Sequence, residues 1–208
     1  SGIPAADIGR GRAPAAASAV RRAAPCRPAG PSAERGFDLV VFAPRQGLDA
    51  FAPDPAEAAA LVRAGIAHLY AGVLEETGFI GPLFAPSAGD GACAGCLELG
   101  RTEADPAWRR MIAQLRSGRP GPLPACDTAL ASTVAGLAAL HALMFLDGGV
   151  PSSLGARVEI SLSDTSIVVR PVPRHPGCEC ACGLPHGRAP IGHASAPSGD
   201  AQVTMMTG

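Results

Sequence analysis

The order of elements along the chain predicts an α/β protein with a partly parallel sheet. Three observations carry this expectation: a short apolar run stopped by proline, a well-capped helix soon after it, and an alternating hairpin near the far end. A length of 208 residues suits one domain with a sizeable core. A hydrophobic share of 47% argues against disorder throughout. One domain is expected over residues 1–183, and residues 184–208, which lack any periodicity, are expected to form a disordered tail.

"RAPAAASAVRRAAP" (12–25) is alanine-rich and ends at Pro25, so it reads as a helix. "FDLVVFAP" (37–44) reads as a buried strand of a parallel sheet. "DPAEAAALVRAG" (54–65) carries Asp54 as N-cap, Pro55 at the first helical position, Glu57 three residues after the cap and Gly65 as stop. "AHLYAGVLEETGFIGPLFAP" (67–86) reads as two extended runs around Thr77-Gly78. A glycine-rich loop, "SAGDGACAGC", follows, and "DPAWRRMIAQLR" (105–116) is an amphipathic helix begun by an Asp-Pro cap. Asp127 to Asp147 forms a long apolar helix, and "GARVEISLSDTSIVVRPV" (155–172) alternates on both sides of a Ser-Asp turn as an antiparallel hairpin.

Composition excludes several function classes. All 17 basic residues are arginine, so no lysine is available for a Schiff base, a phosphate-loop contact or a general base. A net charge of −1 gives no electrostatic case for nucleic acid. "ALASTVAGLAALHALMFL" (129–146) is interrupted by Ser132, Thr133 and His141, and is expected to be a buried helix of a soluble domain rather than a membrane span. The start lacks a basic-then-apolar secretory pattern, which makes the cytoplasm the expected location. "GRGRA" (9–13) has no strand before it and so fails as a dinucleotide fingerprint.

The cysteines carry the chemistry. Five of the seven fall into two clusters, Cys93 with Cys96 and, more than 80 residues later, Cys178, Cys180 and Cys182. An odd count without a secreted setting favours metal binding over a disulfide framework. Four thiolates in a tetrahedron make a closed structural zinc site with no position for water. Cys93 and Cys96 supply one half; from the residues alone, the second half draws on Cys178, Cys180 or Cys182. The bland alternative is a redox pair at 93 and 96 with surface thiols later. Cys26 and Cys126 read as ordinary thiols, His141 as a core histidine, and His175 as a group beside the second cluster. His186 and His193 are tail residues, and Glu75, Glu76, Glu98, Glu103 and Asp105 read as solvated surface charges.

"DIGRGRAPAAASAVRRAAP", "DLVVFAP", "FIGPLFAPSAGDGACAGCLELGRTEADPAW" and "VPRHPGCEC" together resemble the ThiF-type fold of ubiquitin-activating-like enzymes. The branch most similar is the cyclodehydratase partner subunit of thiazole/oxazole-modified microcin biosynthesis, over about residues 5 to 182. The resemblance starts past the family's opening strand and glycine loop. It implies a ThiF/Rossmann-like partly parallel sheet, an antiparallel C-terminal hairpin, and structural zinc on Cys93, Cys96, Cys178 and Cys180. The family's ATP-binding lysine aligns with Arg12 and its magnesium-binding aspartate falls near Arg45. A cation cannot hold magnesium, so the resemblance implies a non-catalytic chain that leaves ATP chemistry to a YcaO-type protein. The implied partners are that protein, a precursor peptide and a second copy of this chain, with no nucleic acid and no membrane. Two alternatives stand beside this expectation: an adenylating ThiF/MoeB-type enzyme, and a generic zinc-bound interaction domain.

Overall fold

A computed structural model describes residues 5–24, 37–44, 47–86, 91–118 and 126–180. After a single turn at Ala5–Asp7, the elements are α1 (Arg12–Ala23), β1 (Leu39–Phe42), α2 (Gly47–Phe51), α3 (Pro55–Ala64), β2 (Ala67–Leu74), β3 (Thr77–Phe84), α4 (Ala94–Ala104), α5 (Trp108–Ser117), α6 (Thr128–Leu146), β4 (Ala156–Ser161) and β5 (Ile167–Pro171). The five strands form one sheet in the order β1-β2-β3-β4-β5. Only β1 and β2 run parallel; every later neighbour is antiparallel. That distribution follows from connection length. Parallel neighbours need a crossover, which α2 and α3 provide, whereas β2–β3 and β4–β5 are joined by short turns.

α3 forms as its sequence dictates. Asp54 accepts a hydrogen bond from the Ala56 amide at 2.9 Å. Gly65 takes a left-handed φ of 68°, and its amide returns to the Leu61 and Val62 carbonyls. The β2–β3 hairpin turns at Glu75-Glu76, two residues before the expected Thr77-Gly78, with Glu75 at φ 54°.

One face of the sheet is covered by α6. Leu130, Val134 and Ala138 of α6 meet Leu69 and Ala71 of β2, Ile80 and Leu83 of β3, and Val158 and Ile160 of β4. Each large aliphatic side chain buried there contributes about 1.5–3 kcal/mol. Contact is close because Gly78 lacks a Cβ, which would lie 2.4 Å from Val134 Cγ2. α2 lies against β2 on a similar principle, since a Cβ on Gly47 would stand 2.3 Å from the Val73 carbonyl oxygen.

Four expectations need correction. The run 37–44 yields a four-residue strand that is half-buried, with Val41 45% exposed, because β1 is the outermost strand of the sheet and pairs only with β2. The 127–147 helix is not enclosed. Only Leu130, Val134 and Ala138 are buried, while Leu140, Leu143, Met144 and Leu146 are each at least half exposed. It is long and apolar enough to cross a membrane by length and composition, yet its buried stripe seats it on β2 and β3. The glycine-rich stretch ends in a helix, α4, which begins immediately after Cys93. Asp105 closes α4 and α5 starts only at Trp108, because Pro106 disfavours helical backbone at the residue before it. The Asp105 carboxylate then accepts the Ala107 amide at 2.9 Å. The expected tail, 184–208, lies outside the described residues.

Candidate metal centre

Cys93 is the N-cap of α4, in extended conformation, and Cys96 sits in the first turn. The three-residue spacing puts both sulfurs on one side of a helix N-terminus, where the helix dipole favours negative charge. β5 ends at Pro171, and the chain then runs back to α4. Val172 is buried there with Phe84, Ala92, Cys93 and Cys96, and Cys178 and Cys180 pack against the same cluster. Sulfurs that begin 82 residues apart in sequence, at Cys96 and Cys178, are thereby brought together.

The four sulfurs are gathered at spacings that suit a shared metal ion. All four Sγ atoms lie within 4.8 Å of one another. The separations are 3.8 Å for Cys93–Cys96, 3.5 Å for Cys93–Cys178 and 3.7 Å for Cys96–Cys180. A zinc–sulfur bond of about 2.3 Å implies a tetrahedron edge of about 3.8 Å. The residues present therefore fit the metal that the resemblance implies. Backbone groups complete the cradle: those of Cys96, of His175 with Cys93, and of Cys180 hydrogen-bond the sulfurs of Cys93, Cys96 and Cys178 respectively. Such donors favour thiolates. The Cys96 thiol is lowered to about 5, first by its hydrogen bond with Cys93, while the same hydrogen bond and then burial push Cys93 upward. Negative charge in the cluster is thus favoured first on Cys96, and a bound dication would favour further thiolates.

Cys180 is also disulfide-bonded. A disulfide and a metal–thiolate bond are alternative uses of one sulfur, so the metal-competent form is the chain with Cys180 reduced. Cys182 and Cys26 lie outside the described residues.

Gly95 is a contributor that sequence reasoning passed over. A Cβ there would stand 3.0 Å from Cys178 Sγ and 3.4 Å from Cys93 Sγ, so the glycine makes room for the second half-site. Its signal was its place between the two cysteines of "CAGC". His175 stands beside the cluster, as expected. Its Nδ1 accepts the Gly177 amide at 3.0 Å, and its Nε2 lies 2.8 Å from Glu103 Oε1, outside hydrogen-bond geometry. Glu103 is exposed but is therefore not a purely solvated charge. Glu98 lies 3.9 Å from Arg109. His141 sits on α6, partly exposed, with Nδ1 2.9 Å from the Ser153 hydroxyl. Cys126 is exposed and apart from the cluster. Arg12 opens α1, and Arg45 lies outside the described residues. Upstream, the buried Asp7 carboxylate is held by Arg10 and Arg22.

No protein-family model and no curated protein sequence matches the chain. Solved structures match in fold. E. coli MccB with MccA aligns at 23% identity over 72% of this chain and 40% of its own, with a TM-score of 0.52. E. coli MccB with ATP aligns at 18% identity over 85% of this chain and 52% of its own, with a TM-score of 0.61. A heterocyclase in complex with substrate and cofactor aligns at 17% identity over 71% of this chain and 21% of its own, with a TM-score of 0.50. The chain spans about half the length of these MccB chains or less. The fold is accordingly an α/β fold shared with part of these MccB chains and of the heterocyclase.

Proposed function

We propose that the chain is a zinc-stapled, non-catalytic ThiF-like domain that serves as scaffold or substrate-presenting subunit in the heterocyclisation of a ribosomally made peptide. The observation that carries the reading is the set of four cysteine sulfurs within 4.8 Å of one another, spanning the start of α4 and the segment after β5. Cys93, Cys96, Cys178 and Cys180 would hold the ion. Zinc with four thiolates has no open position, so the chemistry it supplies is structural: it joins two distant segments and adds its binding energy to folding. The likeness of fold to MccB, whose structure includes MccA, and to a heterocyclase supports a peptide as the substrate class. A precursor peptide and a YcaO-type protein are the proposed partners. A second copy is the proposed occupant of the exposed apolar face of α6. The proposed location is the cytoplasm, where thiols stay reduced.

The adenylating alternative draws its support from the likeness to MccB with ATP. Reconstitution separates the two. The chain, mixed with a YcaO-type protein, ATP and a cysteine-rich precursor peptide, is expected to increase the loss of one water per ring, followed by mass spectrometry. By itself it is expected to give no ATP–pyrophosphate exchange. Exchange by the isolated chain would replace the scaffold reading with the adenylating one. Absence of any effect on ring formation, together with no binding to the YcaO-type protein, would leave a generic zinc-bound interaction domain.

A further inference from the structure

The carboxyl end of β1 opens on a cleft whose lining includes none of the four clustered cysteines. Its volume is about 300 Å³, and its walls include Phe42, Pro44, Asp49, Glu57 and Tyr70. The location is where α/β sheets place ligands, outside the carboxyl end of a parallel strand. Phe42 and Tyr70, paired across β1 and β2, stack with ring centroids 5.0 Å apart and planes 14° apart; Tyr70 is buried in the core with Ala58 and Ala94, and half-buried Phe42 carries the accessible part of the pair. Glu57, in the first turn of α3, makes no ion pair among the described residues, and Arg116 Nε stands 4.0 Å from Asp49. Beside them the Tyr70 hydroxyl is buried and has no hydrogen-bond partner among the described residues.

Two carboxylates beside a half-buried aromatic ring attract a cation. Aromatic faces favour organic cations, and a carboxylate matches the donors of an ammonium or guanidinium group. The cleft lies at the low end of small-molecule site volumes, enough for one side chain or a small amine. We propose that this cleft binds an organic monocation, a primary ammonium or a guanidinium, seated against Phe42 and neutralised by Asp49 and Glu57. The cation comes either from a basic side chain of a bound peptide or from a free small amine; the chemistry is the same. The proposal is independent of the metal and of the scaffold role.

Calorimetric titration of the full-length, metal-loaded, reduced chain tests it, with agmatine as probe. Saturable binding with a stoichiometry of one is expected, weakened at least ~10-fold in the Asp49→Asn/Glu57→Gln double variant. Glu76→Gln, on the remote β2–β3 turn, is expected to leave binding unchanged. Because Asp49 also faces Arg116, the single Glu57→Gln variant, with an unchanged melting temperature, serves as the fold-neutral check and is expected to lose part of the affinity. An acetylated pentapeptide with a central arginine that binds more tightly than agmatine assigns the cation to a peptide; the reverse order assigns it to a small amine. Absence of agmatine binding, binding indifferent to Glu57→Gln, or displacement of agmatine by magnesium-ATP would overturn the proposal.

Discussion

At its start, α4 is tied to the C-terminal segment through the sulfurs of Cys93 and Cys96, which face Cys178 and Cys180; at its end it is tied to α2 through arginines and rings. Arg101 donates to the Phe51 carbonyl at 2.7 Å, and its guanidinium lies 4.4 Å from the Phe51 ring centroid and 4.7 Å from that of Trp108. Arg157 from β4 donates to the same carbonyl at 2.9 Å and stacks on Phe79 at 4.7 Å. Arg116 from α5 bonds the next carbonyl, Ala52, at 2.5 Å. The last carbonyls of α2 have no partner within that short helix, so three side chains from three other elements satisfy them. Glu159 balances Arg157 at 2.6 Å and also pairs with Arg170. Burial raises the Glu159 carboxyl, and its hydrogen bonds to Arg170 and Arg157 outweigh that and hold it low. Burial brings Arg101 down to about 10. One end of α4 thus gathers four cysteine sulfurs with room for a metal ion, while the other is built from groups already in the chain.

The largest effect is expected at the thiolate end. Cys93→Ser, or chelation of the reduced chain, should lower the melting temperature by more than ~10 °C, since structural zinc contributes on the order of 10 kcal/mol of apparent binding energy. Differential scanning fluorimetry with metal analysis checks both the shift and the loss of the ion. At the arginine end, Arg157→Met should cost about 2–3 kcal/mol by urea unfolding, because Glu159 and the Phe51 carbonyl each lose a charged partner. Metal content should stay unchanged in that variant, and a fall in it would join the two ends into one unit. Gly95→Ala sharpens the contrast. It should cost about 1–2 kcal/mol in the metal-loaded chain through pressure on Cys178, and much less in the metal-free chain. Asp127→Ala is smaller again and belongs to neither end. Its carboxylate accepts the Ala129 and Leu130 amides at 2.7 and 3.1 Å, so its loss should cost about 1 kcal/mol.

Acid is expected to act on both regions and on the histidines between them. His68 is fully buried, its ring stacked on Phe84, and burial lowers its pKa below the ordinary 6.5; burial lowers His141 as well. The unfolded chain therefore takes up protons on these groups at a higher pH than the folded one. Stability is complete above about pH 6.5 and declines as pH falls below it. Thiolate protonation acts in the same direction. His68→Phe should reduce the loss between pH 7 and pH 5 relative to the parent chain, since the thiolate contribution is common to both and cancels in the comparison.

The same contrast explains what the sequence made legible. Cys93 and Cys96 and the later cluster of Cys178, Cys180 and Cys182 stand out because two spaced groups of thiols are rare; the spacing left the second half open, and the choice of Cys178 and Cys180 came from the resemblance. α3 was readable from Asp54, Pro55 and Gly65, whose roles are local. The arginine cluster was not readable. Arg101, Arg116 and Arg157 sit on three elements, and nothing near any of them in sequence marks Phe51 as their shared target. α4 was missed for a related reason: Gly91, Gly95 and Gly100 mask a helix that is held by its two fastenings more than by propensity. The exposed side of α6 was also hidden, because a charge-free helix gives no polar stripe from which to read which face is covered.

Cobalt substitution of the reduced chain tests the central claim most directly. The account predicts one cobalt per chain, with the intense sulfur-to-metal charge transfer and the ligand-field bands of a tetrahedral four-thiolate site, both lost in Cys93→Ser and Cys178→Ser. A folded reduced chain that takes up no cobalt or zinc, and whose melting temperature ignores chelator, would contradict it.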